Sequence, residues 1–157
     1  MARAHNFYAG PAVLPEEVLR EIREEFLDYG GTGMSIIESS HRSAEFDEIN
    51  EQARALLLEL LGLDGGDHTA MFLQGGASLQ FAMVPMNLLH TGEKADYILT
   101  GGWSEKALKE AELQGEIHVA ADTKEGDSYR RIPRQEELQL TPGAAYVHLT
   151  TNNTLMG

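Results

Sequence analysis

The stretch Phe72–Phe81, "FLQGGASLQF", decides how the rest of the chain is read. It closes an apolar run, "TAMFL" (Thr69–Leu73), with two glycines, and a small-residue stretch then opens a helical pattern from about Ser78 to Leu89. A buried strand passed through a Gly-Gly turn into a helix is the repeating unit of an α/β protein. The same turn has a second use. Bare backbone N–H groups at a helix N-terminus suit an anion by geometry and by dipole. A tight turn alone explains two glycines just as well.

Toward the C-terminus the rhythm repeats. "ADYILT" (Ala95–Thr100) reads as a strand, followed by "GGW" and the helix "SEKALKEAEL" (Ser104–Leu113). "EIHVAA" (Glu116–Ala121) and "AAYVHLT" (Ala144–Thr150) are two further strands, separated by the polar loop "DTKEGDSYRR". Pro85 is expected to kink its helix or end the regular part. Strands alternating with helices predict an α/β fold with a mostly parallel sheet. The sequence stops at a polar segment, "TNNTLMG", just after a strand and without the helix that should follow, so a truncated piece is expected.

Toward the N-terminus lie two amphipathic helices. Pro15 suits a first helical turn, and Glu16 and Glu17 sit at the favourable end of its dipole. Val18, Leu19, Ile22 and Phe26 recur at helical spacing until Gly30 and Gly31. A second helix is expected from about Ala44 to Leu61, with Phe46, Ile49, Ala53, Leu56, Leu57 and Leu60 on its apolar face. Between the two runs the polar segment "TGMSIIESSHRS".

The 157 residues carry a formal charge of −13, which argues against nucleic acid or an anionic membrane as main partner. There is no cysteine, so disulfides and thiolate metal sites are excluded, and no metal site is expected. No apolar stretch reaches spanning length, and the first residues lack a secretion-signal core, so a cytoplasmic protein is expected.

In a parallel sheet the ends of successive strands share one edge, where open α/β sheets bind ligands. That edge gathers "QGGAS", "GGWS" and "TTNNT". Amides at a helix N-terminus, the single tryptophan Trp103, and the hydroxyls and amides of Thr151 to Thr154 together suit a planar phosphorylated cofactor. A nucleotide- or phosphate-binding α/β module satisfies the same pattern. In "SSHRS" (Ser39–Ser43), Arg42 can grip a carboxylate or phosphate in a fork. Alternatively Ser43 caps the following helix and Arg42 is simply solvated.

"NFYAGPAVLP", "MSIIESSHRS", "FLQGGASLQFAMVPMNLL", "YILTGGWSEKALKEA" and "TTNNTLMG" together resemble the phosphoserine aminotransferase family, in order and along essentially the whole chain. The resemblance implies a pyridoxal 5'-phosphate enzyme of fold type I, class V, with the three-layer α/β architecture of the large aspartate-aminotransferase-like domain. It implies exchange of an amino group between glutamate and 3-phosphohydroxypyruvate in serine biosynthesis, by homodimers with shared active sites. Carried over, Gly76, Ala77 and Ser78 cradle the cofactor phosphate, Trp103 stacks on its ring, and Thr154 bonds on the phenolic-oxygen side. Arg42, with His41 beside it, holds the anionic end of a substrate. Ala9 stands where some members carry serine. The family is more than twice as long, so residues 1–15 are expected to be an arm and 16–157 the first half of the large domain. The lysine that bonds the cofactor, its aspartate partner and the small domain then lie outside. No catalytic residue is expected among Lys94, Lys106, Lys109 and Lys124, and the chain alone should not catalyse transamination.

Overall fold

The computed structural model describes residues 3–8 and 10–154. The chain divides into two compact units, Met1–Phe72 and Leu73–Gly157.

The first unit contains α1 (Glu16–Glu25) and α2 (Ala44–Leu60), with two 3-10 turns between them. Pro15 immediately precedes α1, and Glu16 pairs with Arg20 one turn on, at 2.5 Å. α2 starts at Ser43, whose Oγ accepts the Phe46 N–H at 3.3 Å, satisfying one of the helix's orphan donors. Neither helix contains a buried residue. From α2, Arg54 donates through Nε to the Ala70 carbonyl at 2.8 Å and through Nη2 to Thr69 Oγ1 at 3.1 Å.

That contact holds the segment expected to be the first strand, and here the expectation fails. Thr69–Leu73 forms neither helix nor strand; Ala70 is buried, while Met71 and Phe72 are 68% and 61% exposed. A strand needs a neighbour for its N–H and C=O groups. Among the described residues none runs beside this one. The apolar run signalled a wish for burial and carried no information about the partner.

The second unit contains α3 (Gly76–Leu88), β1 (Lys94–Leu99), α4 (Gly102–Glu112), β2 (Glu116–Asp122), a short hairpin of β3 (Lys124–Glu125) and β4 (Ser128–Tyr129), and β5 (Val147–Leu149). Its sheet has the order β2-β1-β5, all parallel, with β1 central and buried beyond its first residue. The fold is thus α/β with a parallel sheet. Lys94 pairs with Glu116 across the start of β1 and β2, and the register slips between Tyr97 and Ile98.

Leu89, Ala95, Tyr97, Ala107 and Ala111 form the core, with Phe81, Leu108, Ile117 and Tyr146 packed around it. α4 turns Ser104, Ala107 and Ala111 inward, and such small side chains let a helix lie close on a sheet. Pro85 is buried in the last turn of α3, which ends three residues later at Leu88. The loop "DTKEGDSYRR" contains the antiparallel hairpin, turning at Gly126–Asp127. Among the described residues, no helix is long and apolar enough to cross a membrane.

Candidate functional site

The turn into α3 is left-handed twice over, with φ of 89° at Gly75 and 58° at Gly76. Side chains other than glycine's are strained in that region. A Cβ on Gly75 would also stand 2.5 Å from Leu79 Cβ, whereas one on Gly76 would meet open space. The helix ladder begins with Leu79 N–H bonding to the Gly75 carbonyl at 3.3 Å. The N–H groups of Gly76, Ala77 and Ser78 therefore lie ahead of any intrahelical acceptor, and among the described residues no side chain caps them. All three residues are exposed. This is a nest of donors at the positive end of a helix.

Less than a turn beyond Ser78, the Phe81 ring lies 6.5 Å from the Trp103 ring. Trp103 is the second residue of α4 and half-buried. Its indole Nε1–H donates to Thr154 Oγ1 at 3.2 Å, and its backbone N–H donates to Asn153 Oδ1 at 3.2 Å. Asn153 Nδ2 donates in turn to Thr100 Oγ1 at 3.1 Å. Beneath them Ser104 is fully buried; its Oγ accepts the N–H groups of Thr100 and Gly101 at 2.9 and 3.0 Å and donates to the Gly101 carbonyl at 2.6 Å. The ends of β1 and β5 and the start of α4 are thus one hydrogen-bonded piece. Lys106 Nζ stands over the indole, 4.3 Å from its centre.

Of the residues read from the sequence, Trp103 and Thr154 are brought into direct contact, and Gly76, Ala77 and Ser78 lie at the start of the helix that supplies Phe81. His41 and Arg42 belong to the first unit, exposed in the turn before α2. The Arg42 guanidinium makes no ion pair among the described residues; its backbone N–H donates to Ser40 Oγ at 3.2 Å. Ala9 lies outside the described residues.

Sequence reading missed three groups near this edge. A cavity of about 150 Å³ is lined by Thr100, Tyr129, Arg130, Arg131, Thr150 and Asn153, among others, and Thr150 Oγ1 is buried without a partner among the described residues. Arg131 forks onto Glu137 at 2.7 and 3.0 Å, and with the Arg134 N–H it holds the Glu137 carboxyl down at about 2. Lys124 and Tyr129 of the hairpin both bond Glu105 of α4, at 2.7 and 2.9 Å. The hydrogen bond to Glu105 raises the Lys124 ammonium above its ordinary pKa. The hairpin had a signal, a Gly-Asp pair between strand-like residues.

At the opposite end of the sheet, Asp96 is fully buried inside β1. It accepts from the Thr141 N–H at 2.6 Å and from Thr141 Oγ1 at 2.7 Å, and it lies 3.0 Å from His118 Nδ1. Burial pushes its carboxyl up, but the bonds from Thr141 and His118 outweigh that and hold it below the usual range. Among the described residues no cluster could hold a metal ion.

Comparison with known proteins places the chain in a family. The class-V aminotransferase family matches residues 4–157, and the chain belongs to it. More narrowly, it is 53% identical over 155 residues to the phosphoserine aminotransferase of Niallia circulans and 51% identical over 153 residues to that of Herpetosiphon aurantiacus. These alignments cover 99% and 98% of this chain but only 42% of each relative, so the chain spans less than half their length. The structure of the Bacillus circulans subsp. alkalophilus phosphoserine aminotransferase superposes with a TM-score of 0.86 at 53% identity, over 97% of this chain and 42% of that one. The PLP-bound phosphoserine aminotransferase of Trichomonas vaginalis superposes with a TM-score of 0.87 at 33% identity, over 99% and 46%.

Proposed function

We propose that this chain is the N-terminal part of a pyridoxal 5'-phosphate-dependent transaminase that moves an amino group between glutamate and 3-phosphohydroxypyruvate, giving 2-oxoglutarate and phosphoserine in serine biosynthesis. Residues 1–15 act as an arm and 16–157 as the first half of its large domain. The observation that carries the reading is the bond from the Trp103 indole to the Thr154 hydroxyl, beside an uncapped helix start.

The donor set fits the cofactor. Gly76, Ala77 and Ser78 offer three backbone N–H groups and the Ser78 hydroxyl, which suit a phosphate dianion, and the open space at Gly76 leaves room for it. Trp103 offers a flat face for a pyridine ring, and its bond to Thr154 fixes ring and hydroxyl together. When bound, the cofactor supplies an electron sink for charge developing at the substrate's α-carbon. This chain's residues bind and orient; the lysine that moves the proton comes from outside it. Lys94 is held by Glu116 at the far end of β1, Lys124 is held by Glu105, Lys106 sits over the indole, and Lys109 is exposed.

Arg42 and His41, exposed and free of ion pairs among the described residues, bind the anionic end of the substrate. Two copies pair in the cytoplasm, and the apolar faces of α1 and α2 supply surface for that contact. Arg42→Lys keeps the charge but loses the fork, so KM rises while cofactor affinity holds. A fall in cofactor affinity instead would remove Arg42 from the substrate role.

The test is a chimaera in which residues 1–157 replace the matching part of the Niallia circulans relative. Glutamate-dependent turnover with 3-phosphohydroxypyruvate is expected. A folded chimaera without turnover, beside an active parent, would overturn the reading.

A further inference from the structure

Asn153 is 6% exposed and uses both ends of its amide. Its Oδ1 takes the N–H of Trp103, one of the orphan donors of α4, and its Nδ2 reaches the Thr100 hydroxyl at the end of β1. The pairing fixes the amide's orientation, because a flipped amide would set donor against donor. Gly101 makes the approach possible. A Cβ there would stand 2.7 Å from Asn153 Cβ and closer still to the amide. The next residue, Thr154, takes the indole N–H of the same tryptophan. Two consecutive residues after β5 therefore grip one residue twice, once by its backbone and once by its ring.

We propose that Asn153 is a positioning residue that locks the rotation of Trp103 and brings Thr154 to it, so that aromatic face and hydroxyl meet the cofactor as one rigid piece. This rests on the functional reading above. Without the Asn153 bond, Thr154 is held to Trp103 only through a rotatable indole, and stacking loses its pre-organisation. Aspartate at this position keeps an acceptor for the Trp103 N–H, and the Thr100 hydroxyl can turn to donate to it.

Trp103 is the only tryptophan, so the 15N-labelled chain gives a single indole N–H resonance. Asn153→Ala should speed its exchange with water about tenfold or more, while Asn153→Asp stays within about twofold of the parent. Thr154→Val should lose the same protection without moving the Trp103 backbone amide. Unchanged indole exchange in Asn153→Ala, or equal damage in Asn153→Asp, overturns the proposal. If Asn153→Ala unfolds, Asn153→Asp decides alone, since retained protection supports the polar lock and lost protection refutes it. Pyridoxal phosphate affinity, read by Trp103 quenching, should fall about tenfold in Asn153→Ala, and unchanged affinity also overturns the proposal. A parent chain with a protected indole and no affinity would instead overturn the cofactor reading.

Discussion

The two units carry comparable apolar patterns and treat them differently. In the first, α1 and α2 show clear stripes, yet Ile22 is 50% exposed, Leu60 84%, and neither helix buries a residue. In the second, Tyr97 is 1% exposed and Ala95, Ala107 and Ala111 are fully buried between a sheet and a helix. A parallel sheet brings its own partners, because each strand hydrogen-bonds its neighbours and its crossover helix covers the face. A helix can offer only one stripe and must find a cover for it. Periodicity therefore predicts which face is apolar in both units, and burial only in the second.

Stability measurements tell the two units apart. Tyr97→Ala should cost about 3–5 kcal/mol, as large core truncations do, whereas Ile22→Ala should cost less than about 1 kcal/mol in the isolated chain. Denaturant unfolding followed at Trp103 measures the first, and helical circular dichroism the second. A large loss at Ile22 that depends on protein concentration would show a second copy covering α1. Next in size, Gly75→Ala puts a Cβ against Leu79 at a φ of 89° and should cost about 1–3 kcal/mol. A neutral result would mean the turn is not needed in its left-handed form.

The buried carboxylate gives a pH test. Asp96 is held below its ordinary pKa, so its contribution is fully present above the unfolded value of about 3.9 and is lost as pH falls through the folded one. Asp96→Asn should flatten the loss of stability on acidification through that window, whatever its effect at neutral pH. An unchanged acid slope would mean that other carboxylates dominate. Smallest, Ser43→Ala should cost about 0.5–1 kcal/mol by removing the α2 cap. No change there would assign the helix start to the chain before it.

The legible parts were those governed by local rules. The positions of α1, α2, α4, β1 and β2 followed from period and from capping residues. Ser43 was readable as a cap, and the parallel order placed "GGWS" and "TTNNT" on one edge. What escaped was set by contacts distant in sequence. Thr69–Leu73 reads as a strand, but its pairing depends on chain that no local pattern describes. Lys106 reads only as a lysine without a catalytic role, and its place over the Trp103 ring depends on how the indole turns. Nothing local in "ADYILT" pointed to a bond network at Asp96. The identity of Thr141 and His118 as its partners lay 45 and 22 residues away. Asn153 reads with its neighbours as a hydrogen-bonder for a ligand, whereas its amide is spent inside the protein, in the space that Gly101 leaves.

In the function proposed above, the amides of Gly76, Ala77 and Ser78 receive the phosphate of a ring stacked at Trp103. The direct measurement is amide chemical-shift mapping of the labelled chain titrated with pyridoxal phosphate, with pyridoxal, which lacks the phosphate, and with an ATP analogue. Saturable shifts are expected at those three amides and at the Trp103 indole with pyridoxal phosphate, and no shift at the three amides with pyridoxal. Shifts confined to the cavity at Arg130 and Arg131, or larger responses to the ATP analogue than to pyridoxal phosphate, would overturn that role for the amides.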